Sequence, residues 1–336
     1  MKKLLLIVIA CLSAFMSIPS YADEADDTMG GYTVEGIPNA HQVDPNAGYF
    51  DLSEEPGEKD QLKVKLINNS DQEKSLKVTV TNGNTNSNGL VDYTGESKDH
   101  SSLKTPLTSI LKATQETVTV PKHSEVETTL ELSMPKEKFD GIILGGIVIS
   151  DGTESNKKSD GMSMGNIYNY TLGVVIRNDA KTDVYKNVSV ELESIETKLD
   201  YGKKVVQVNF LNPNPYILGE ATVEGKILDE ESGKVLQEQA KENVVIAPNS
   251  VYPFQFDWQK EEIKPGNYVF EGVVKTKDQE WKFSHKFSIE EETAKELNEK
   301  TAFKVHIPNW LKMTSIVLFV LMISFTIWAV IKKKKG

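Results

Sequence analysis

Two stretches late in the chain alternate so strictly that they leave one secondary structure open to it. Tyr252, Phe254, Phe256 and Trp258 alternate with Pro253, Gln255 and Asp257, and Trp281, Phe283, His285, Phe287 and Ile289 alternate with Lys282, Ser284, Lys286 and Ser288. A helix would scatter these rings around its circumference, whereas a strand lines them along one face, so the chain must build sheets with one buried side. The same period recurs upstream, with Leu62, Val64 and Leu66 set against Gln61, Lys63 and Lys65, and Leu76, Val78 and Val80 against Lys77 and Thr79. Val126, Leu130, Leu132 and Met134 share a further face with Thr128. The run from Asp140 to Ile149 is apolar on both faces, as a central strand is, and its paired Gly145 and Gly146 predict a bulge or a close backbone contact.

The spacing sorts these segments into two sets. The first, 23–182, closes with a strand over Tyr168–Ile176 and contains surface loops over Asn82–Gly89 and 150–160. Leu103, Leu107, Ile110 and Leu111 predict a short helix, which Pro106 limits. The second set, 183–290, holds seven strands in about 105 residues, the strand number of an immunoglobulin-like sandwich, with Tyr268 placed for a tyrosine corner. Arg177, the only arginine, reads as a surface or inter-domain ion-pair partner. The expected fold class is all-β: two tandem immunoglobulin-like β-sandwich domains followed by one C-terminal transmembrane helix.

The ends set the topology. Met313 to Ile331 carries no charge and Lys332 to Lys335 follow it. At about 1.5 Å per residue it reaches roughly 28 Å, near the thickness of a hydrocarbon core. The basic tail, 332–336, belongs on the cytoplasmic side of a span over 312–331, and Trp310 and Trp328 lie near the two interfaces. A sortase signal would require Leu-Pro-x-Thr-Gly, and the chain has Ile307-Pro308-Asn309-Trp310 there, so the tail is expected to stay attached. Between the second domain and the span, 291–311 reads as a charged juxtamembrane stalk with Glu291–Lys295 and Glu296–Lys300 pairs. At the other end, Lys2 and Lys3 precede an apolar region closed by Ser20-Tyr21-Ala22, the pattern of a signal peptide over 1–22. A lipobox ending at Cys11 is the competing reading. Cleavage after Ala22 would remove the only cysteine, leaving neither a disulfide nor thiol chemistry to the exterior part.

Charge and motifs narrow the function. The formal net charge is −11. The exterior part is more acidic still, because Lys2, Lys3, Lys312 and Lys332 to Lys335 lie outside it, so nucleic acid is a poor partner. The five histidines, at 41, 100, 123, 285 and 306, show no metal-ligand spacing, and no nucleophile elbow, phosphate loop or dinucleotide fingerprint is present. No catalytic residue, metal or cofactor is expected. His285 sits on an apolar strand face and reads as a core or edge imidazole. Acidic pairs such as Glu54-Glu55 read as solvated charge runs, and the alternating aromatics read as core in preference to sugar-stacking platforms. The exposed candidate is the Asn-rich loop, where Asn84, Asn86 and Asn88 with nearby Tyr93 offer amides and a ring to a glycan.

Several segments, in order, carry a resemblance. They are Tyr49-Phe50-Asp51-Leu52 with Pro56-Gly57; Thr85-Asn86-Ser87-Asn88-Gly89 with Tyr93; Met134-Pro135 before Phe139-Asp140-Gly141-Ile142-Ile143-Leu144-Gly145-Gly146-Ile147; Ala247-Pro248-Asn249-Ser250; Lys264-Pro265-Gly266-Asn267-Tyr268; and Trp281-Lys282-Phe283. Together the chain resembles the WxL-interacting proteins of low-GC Gram-positive bacteria. The resemblance implies an N-terminal module that binds peptidoglycan, a C-terminal module that contacts host extracellular matrix, and partnership with surface proteins bearing a WxL domain. The chain has no Trp-x-Leu itself, since Lys260, Phe283, Lys312 and Val330 stand two residues after its tryptophans. The expected function is a membrane-anchored, non-enzymatic surface scaffold or adhesion protein facing the cell wall. The alternatives are a carboxylate-dependent wall-glycan hydrolase and a host adhesin without wall affinity.

Overall fold

A computed structural model describes residues 29–152, 168–303 and 309–335. The expected signal peptide, with Cys11, and most of the expected 150–160 loop lie outside the described residues. The chain divides into two compact units. Of the described residues, the first is built from 29–83, 93–98, 103–152 and 168–183, and the second from 84–92, 99–102, 184–303 and 309–335.

The first unit is a sandwich of two sheets. One orders β1 (Tyr32–Ile37), β3 (Lys59–Asn68), β9 (Ser124–Ser133) and β7 (Leu111–Ala113). The other orders β2 (Phe50–Ser53), β11 (Asn169–Arg177), β10 (Ile143–Asp151), β4 (Lys74–Asn82) and β8 (Thr117–Val120). All neighbours are antiparallel except β2 and β11. The alternating residues supply the core as their period demands, with Leu62, Val64, Leu66, Leu76, Leu130, Leu132, Ile147 and Ile149 all buried. The expected helix is a single turn, α1 (Leu107–Ile110), directly after Pro106, and its Leu107 and Ile110 are buried.

The Gly145-Gly146 pair makes a close contact and not a bulge, for β10 keeps unbroken register with both neighbours. A Cβ on Gly145 would stand 2.3 Å from the Thr81 carbonyl oxygen and 2.5 Å from Leu107 Cδ2. Arg177 departs from the surface role expected of it. It is 6 % exposed; its Nη2 pairs with Asp51 Oδ1 and its Nη1 donates to the Thr182 carbonyl at 2.8 Å. The cause is the parallel pairing, which sets Asp51 beside Val175 and Ser53 beside Arg177, so the two charged side chains share a sheet face two positions apart.

Within 183–290 the second unit has the seven strands expected. β12 (Glu191–Asp200), β13 (Lys203–Asn212) and β16 (Ser250–Asp257) form one sheet. β15 (Val235–Ile246), β14 (Leu218–Asp229), β17 (Gly266–Lys275) and β18 (Glu280–Ile289) form the other. The Tyr252 to Trp258 face is core. Phe254 and Phe256 meet edge to face at 5.1 Å, Phe256 and Phe270 at 6.1 Å, and Trp258 is 4 % exposed. On β18 the aromatic face is only half-buried, and His285 is exposed and not a core imidazole. The Tyr268 hydroxyl donates to the Lys264 carbonyl at 2.6 Å, completing the expected tyrosine corner. A two-stranded hairpin of β5 (Asn84–Thr85) and β6 (Val91–Asp92) also belongs to this unit. There Thr85 Oγ1 accepts from the Ala247 N–H at 2.9 Å and lies 3.0 Å from Ser250 Oγ, while the Val245 N–H donates to the Gly89 carbonyl at 2.8 Å.

Both units use the same corner. Buried Asn68, at the end of β3, donates through Nδ2 to the carbonyls of Gln72, Val120 and Pro121, and buried Asn212, at the end of β13, does so to those of Tyr216, Ile246 and Ala247. Each thereby ties a carbonyl four residues ahead to the end of a second strand. A left-handed residue follows each second strand end, His123 at φ 49° and Asn249 at φ 50°.

The charged segment after β18 is helical, as expected, over α2 (Glu291–Lys300), yet it does not stand free. Ala294 and Leu297, three apart, are buried in the second core. Asn298 exchanges hydrogen bonds with the backbone of Ile263, and Thr301 Oγ1 donates to the Gly202 carbonyl. The last helix, α3, runs from Asn309 to Lys335, and its described large apolar side chains are 44 to 67 % exposed. Among the described residues no helix is long and apolar enough to cross a membrane.

Candidate binding face and carboxylate cluster

The second glycine of the pair has a different task from the first. Gly146 points to the outer face of its sheet and pairs directly with Gly173 on β11. The Tyr93 ring lies on this floor, and a Cβ on Gly146 would meet Tyr93 Cδ1 at 3.1 Å. From Gly173 the same construction reaches Tyr49 Cβ at 3.5 Å and the Tyr93 hydroxyl at 3.9 Å. Two glycines side by side thus open a shallow seat for two tyrosines, one half-buried and one, Tyr49, 44 % exposed. Beside it lies a cleft of about 360 Å³ whose walls include Gly36, Gln42, Tyr49 and Phe50. Gln42 holds its rim in shape by donating to the carbonyls of Asp44 and Tyr49. An exposed ring and an amide at the cleft, with a half-buried ring on the sheet face beside it, are groups that take up a sugar face and its hydroxyls.

The four residues expected to form a site fall into both units. Tyr93 belongs to the first, while Asn84, Asn86 and Asn88 lie on the β5–β6 hairpin of the second. Asn84 is buried and donates to Asp99 Oδ1 at 2.9 Å. Asn86 builds the turn, its Oδ1 accepting from the N–H groups of Asn88 and Leu90. Asn88 is exposed at the tip. Two of the three amides therefore have local structural work, and Tyr49 is the residue that accompanies Tyr93.

A second constellation gathers where β2 ends. Glu54 is 1 % exposed, in contrast to the solvated charge run expected there, because its backbone completes the sheet edge: its N–H donates to the Arg177 carbonyl and its carbonyl accepts from Asn178 Nδ2. Its side chain faces His41, Glu58 and Asp60. His41 Nδ1 lies 3.2 Å from Glu54 Oε2 and His41 Nε2 lies 3.6 Å from Glu58 Oε1. One ligand atom each from His41, Glu54 and Asp60 fall within 4.8 Å of one another. Neither Glu54 oxygen has a hydrogen-bond donor directed at it. Burial first, then the neighbouring charges of Asp60 and Glu58, push the Glu54 carboxyl up to about 8.

That shift fixes a pH dependence. The folded state holds the Glu54 proton up to about pH 8, while the unfolded chain releases it near 4.5. The associated stability is complete below 4.5 and is lost as pH rises through 8, with a slope of at most about 1.4 kcal/mol per pH unit. In chelated buffer, urea denaturation at pH 5, 6.5 and 8 should show this decline in the wild type and a flatter profile in Glu54→Gln. Superimposable profiles would refute it.

Sequence spacing alone could not find this cluster, because His41 and Glu54 approach only through the pairing that sets Gln42 against Leu52. The nearest signal was the acidic pair at 54–55 close to a histidine in a turn-rich segment.

Comparison with known proteins gives two family matches in tandem. Residues 32–151 match the family described as WxL Interacting Protein, peptidoglycan binding domain, and residues 159–299 match WxL Interacting Protein, host binding domain. No curated protein matches the chain. Among solved structures, the CupB2 chaperone of Pseudomonas aeruginosa is similar at 16 % identity, covering 68 % of this chain and 92 % of its own, with a TM-score of 0.26. The E. coli chaperone DraB is similar at 12 % identity, covering 77 % and 98 %, with a TM-score of 0.30.

Proposed function

The chain belongs to the WxL-interacting proteins, and on that premise we propose that it is a membrane-anchored surface scaffold, non-enzymatic, whose first unit holds peptidoglycan and whose second engages protein partners, WxL-domain surface proteins and host extracellular matrix among them. The observation that carries this reading is the tandem match of a peptidoglycan-binding and a host-binding family, in that order, over most of the chain. The Tyr49 and Tyr93 seat on the outer sheet face of the first unit suits a flat sugar ring, and the cleft beside it gives room for a polymer to pass. Anchoring rests on the sequence, in which the charge-free Met313 to Ile331 is followed by four lysines. The hydrolase alternative finds no support at the buried Glu54, which is too enclosed to reach a glycan bond.

The test uses the full chain in detergent. It should co-sediment with purified insoluble peptidoglycan. Loss of one stacking ring, worth about 1 kcal/mol, should weaken retention roughly fivefold in Tyr49→Ala and again in Tyr93→Ala. In membranes the chain should resist extraction by alkaline carbonate. Retention unchanged in the double variant would overturn the assignment of the seat, absence of sedimentation the wall reading, and release by carbonate the anchoring.

A further inference from the structure

We propose that His41, Glu54 and Asp60 form a binding site for one divalent zinc-class cation that pins the β1–β2 connection to the edge of the first sandwich. The inference stands apart from the glycan reading and draws on no residue of the tyrosine seat.

Three observations meet here. The first is the donor set. Two carboxylates and one imidazole are the mixed oxygen and nitrogen ligands that Zn²⁺ accepts, and the imidazole disfavours Ca²⁺ and Mg²⁺, which take oxygen. The second is spacing. Ligand atoms at about 2.0–2.1 Å from one tetrahedral ion are about 3.4 Å apart, and His41 Nδ1 and Glu54 Oε2 are separated by 3.2 Å. The third is the state of Glu54. Its side chain is fully buried, both oxygens lack a hydrogen-bond donor, and its backbone is clamped on both sides, so the carboxyl is held in place without a protein group to satisfy it. A cation bound there would satisfy the Glu54 oxygen that faces His41 and lie between the Glu54 and Asp60 carboxyls.

The surroundings fit a metal site beyond its ligands. His41 turns its other nitrogen toward Glu58 Oε1, at 3.6 Å, the carboxylate–histidine arrangement that fixes a ligating ring. Asp60 Oδ2 accepts from Asn39 Nδ2 at 2.5 Å, leaving its other oxygen for the ion, and the backbone N–H of His41 donates to Asn39 Oδ1 at 3.0 Å. His41 and Glu58 side chains are 31 and 32 % exposed, so an ion can enter from their side while Glu54 forms the closed end. Three of the four tetrahedral positions come from the protein, and water fills the fourth. By contrast the His123–Asp71 pair, 59 and 95 % exposed, brings no third ligand and serves as a control.

The test is calorimetric titration of Zn²⁺ into the full chain in detergent after chelation, alongside its thermal midpoint. The expected result is one tight equivalent at micromolar affinity or better, a rise of several degrees in the first unit's midpoint, and at least a hundredfold weaker binding in both His41→Ala and Glu54→Gln. Glu58→Gln should weaken binding tenfold to a hundredfold, and His123→Ala should bind as the wild type does. Glu54→Gln keeps the shape of the side chain and should fold at least as well as the wild type without metal, so its loss of binding is not a loss of structure. Three results would each overturn the proposal: no Zn²⁺ equivalent in the wild type, binding unaltered by His41→Ala and Glu54→Gln, or a site that takes Ca²⁺ in preference to Zn²⁺.

Discussion

Replacing Gly145 by alanine should lower the thermal midpoint of the first unit by roughly 6–12 °C. A single methyl carries this effect because the added Cβ would sit 2.3 Å from the Thr81 carbonyl oxygen and 2.9 Å from Leu107 Cβ. Neither neighbour is a flexible side-chain end. Thr81 is on β4, hydrogen-bonded across to Gly146, and Leu107 starts the one-turn helix that closes the core. Relief requires that β10 and β4 part, which strains a central pairing of the five-stranded sheet. Overpacking of this kind costs about 3 kcal/mol, and each kcal/mol shifts a domain of this size by about 2–4 °C. Gly141→Ala is not a fair control, since its φ is 71°. Gly48→Ala is, because nothing lies within 4 Å of its added Cβ. Differential scanning calorimetry of the full chain reads both, and equal midpoints for Gly145→Ala and Gly48→Ala would refute the close-contact account.

Asn212 should prove as critical to the second unit. Its Nδ2 donates at 2.8, 3.2 and 3.1 Å to three buried carbonyls, and its Oδ1 accepts from the Asn214 N–H at 3.2 Å. Alanine removes the donors and leaves the carbonyls of Tyr216, Ile246 and Ala247 short of partners, a loss of about 2–4 kcal/mol. Aspartate should be worse, although it is nearly isosteric, because it points a buried negative charge at the same carbonyl oxygens. The expected order of chemical denaturation midpoints is wild type, then Asn212→Ala, then Asn212→Asp. An Asp variant more stable than the Ala variant near pH 7 would show that the donors are not what the corner depends on.

How much of this was legible beforehand depended on the range of the interaction. Strict alternation over Tyr252 to Trp258 identified a core strand, because period two is a property of neighbouring residues. The helix forming residues from Glu291 likewise announced α2. What they could not announce was that Ala294 and Leu297 would find an apolar surface to cover, since two small or medium apolar residues in a charged run read equally as a free helix. The glycine pair pointed to close contact but not to its two faces, one carrying Leu107 and the other Tyr93. Glu54 and Arg177 escape a reading of the sequence for a common reason. Both are charged residues beside turns, and only the parallel β2–β11 pairing, which joins segments more than a hundred residues apart, draws them inside. Of the expected site residues, Asn86 was recognisable as a turn former from its type, whereas the Tyr49–Tyr93 seat depends on β10 and β11 lying side by side.

The docking of α2 sets a length. Thr301 and Ala302 are both tied to Gly202 and α3 begins at Asn309, so the covalent chain between Ala302 and Asn309 can reach at most about 25 Å. In the proposed topology the second unit is therefore on a short leash, confined to a thin layer above the lipid headgroups. A partner secreted across the same membrane enters that layer first, where confinement raises the collision frequency without any added affinity. Freeing α2, by exchanging Ala294 and Leu297 for charged residues, would lengthen the leash and dilute the encounter.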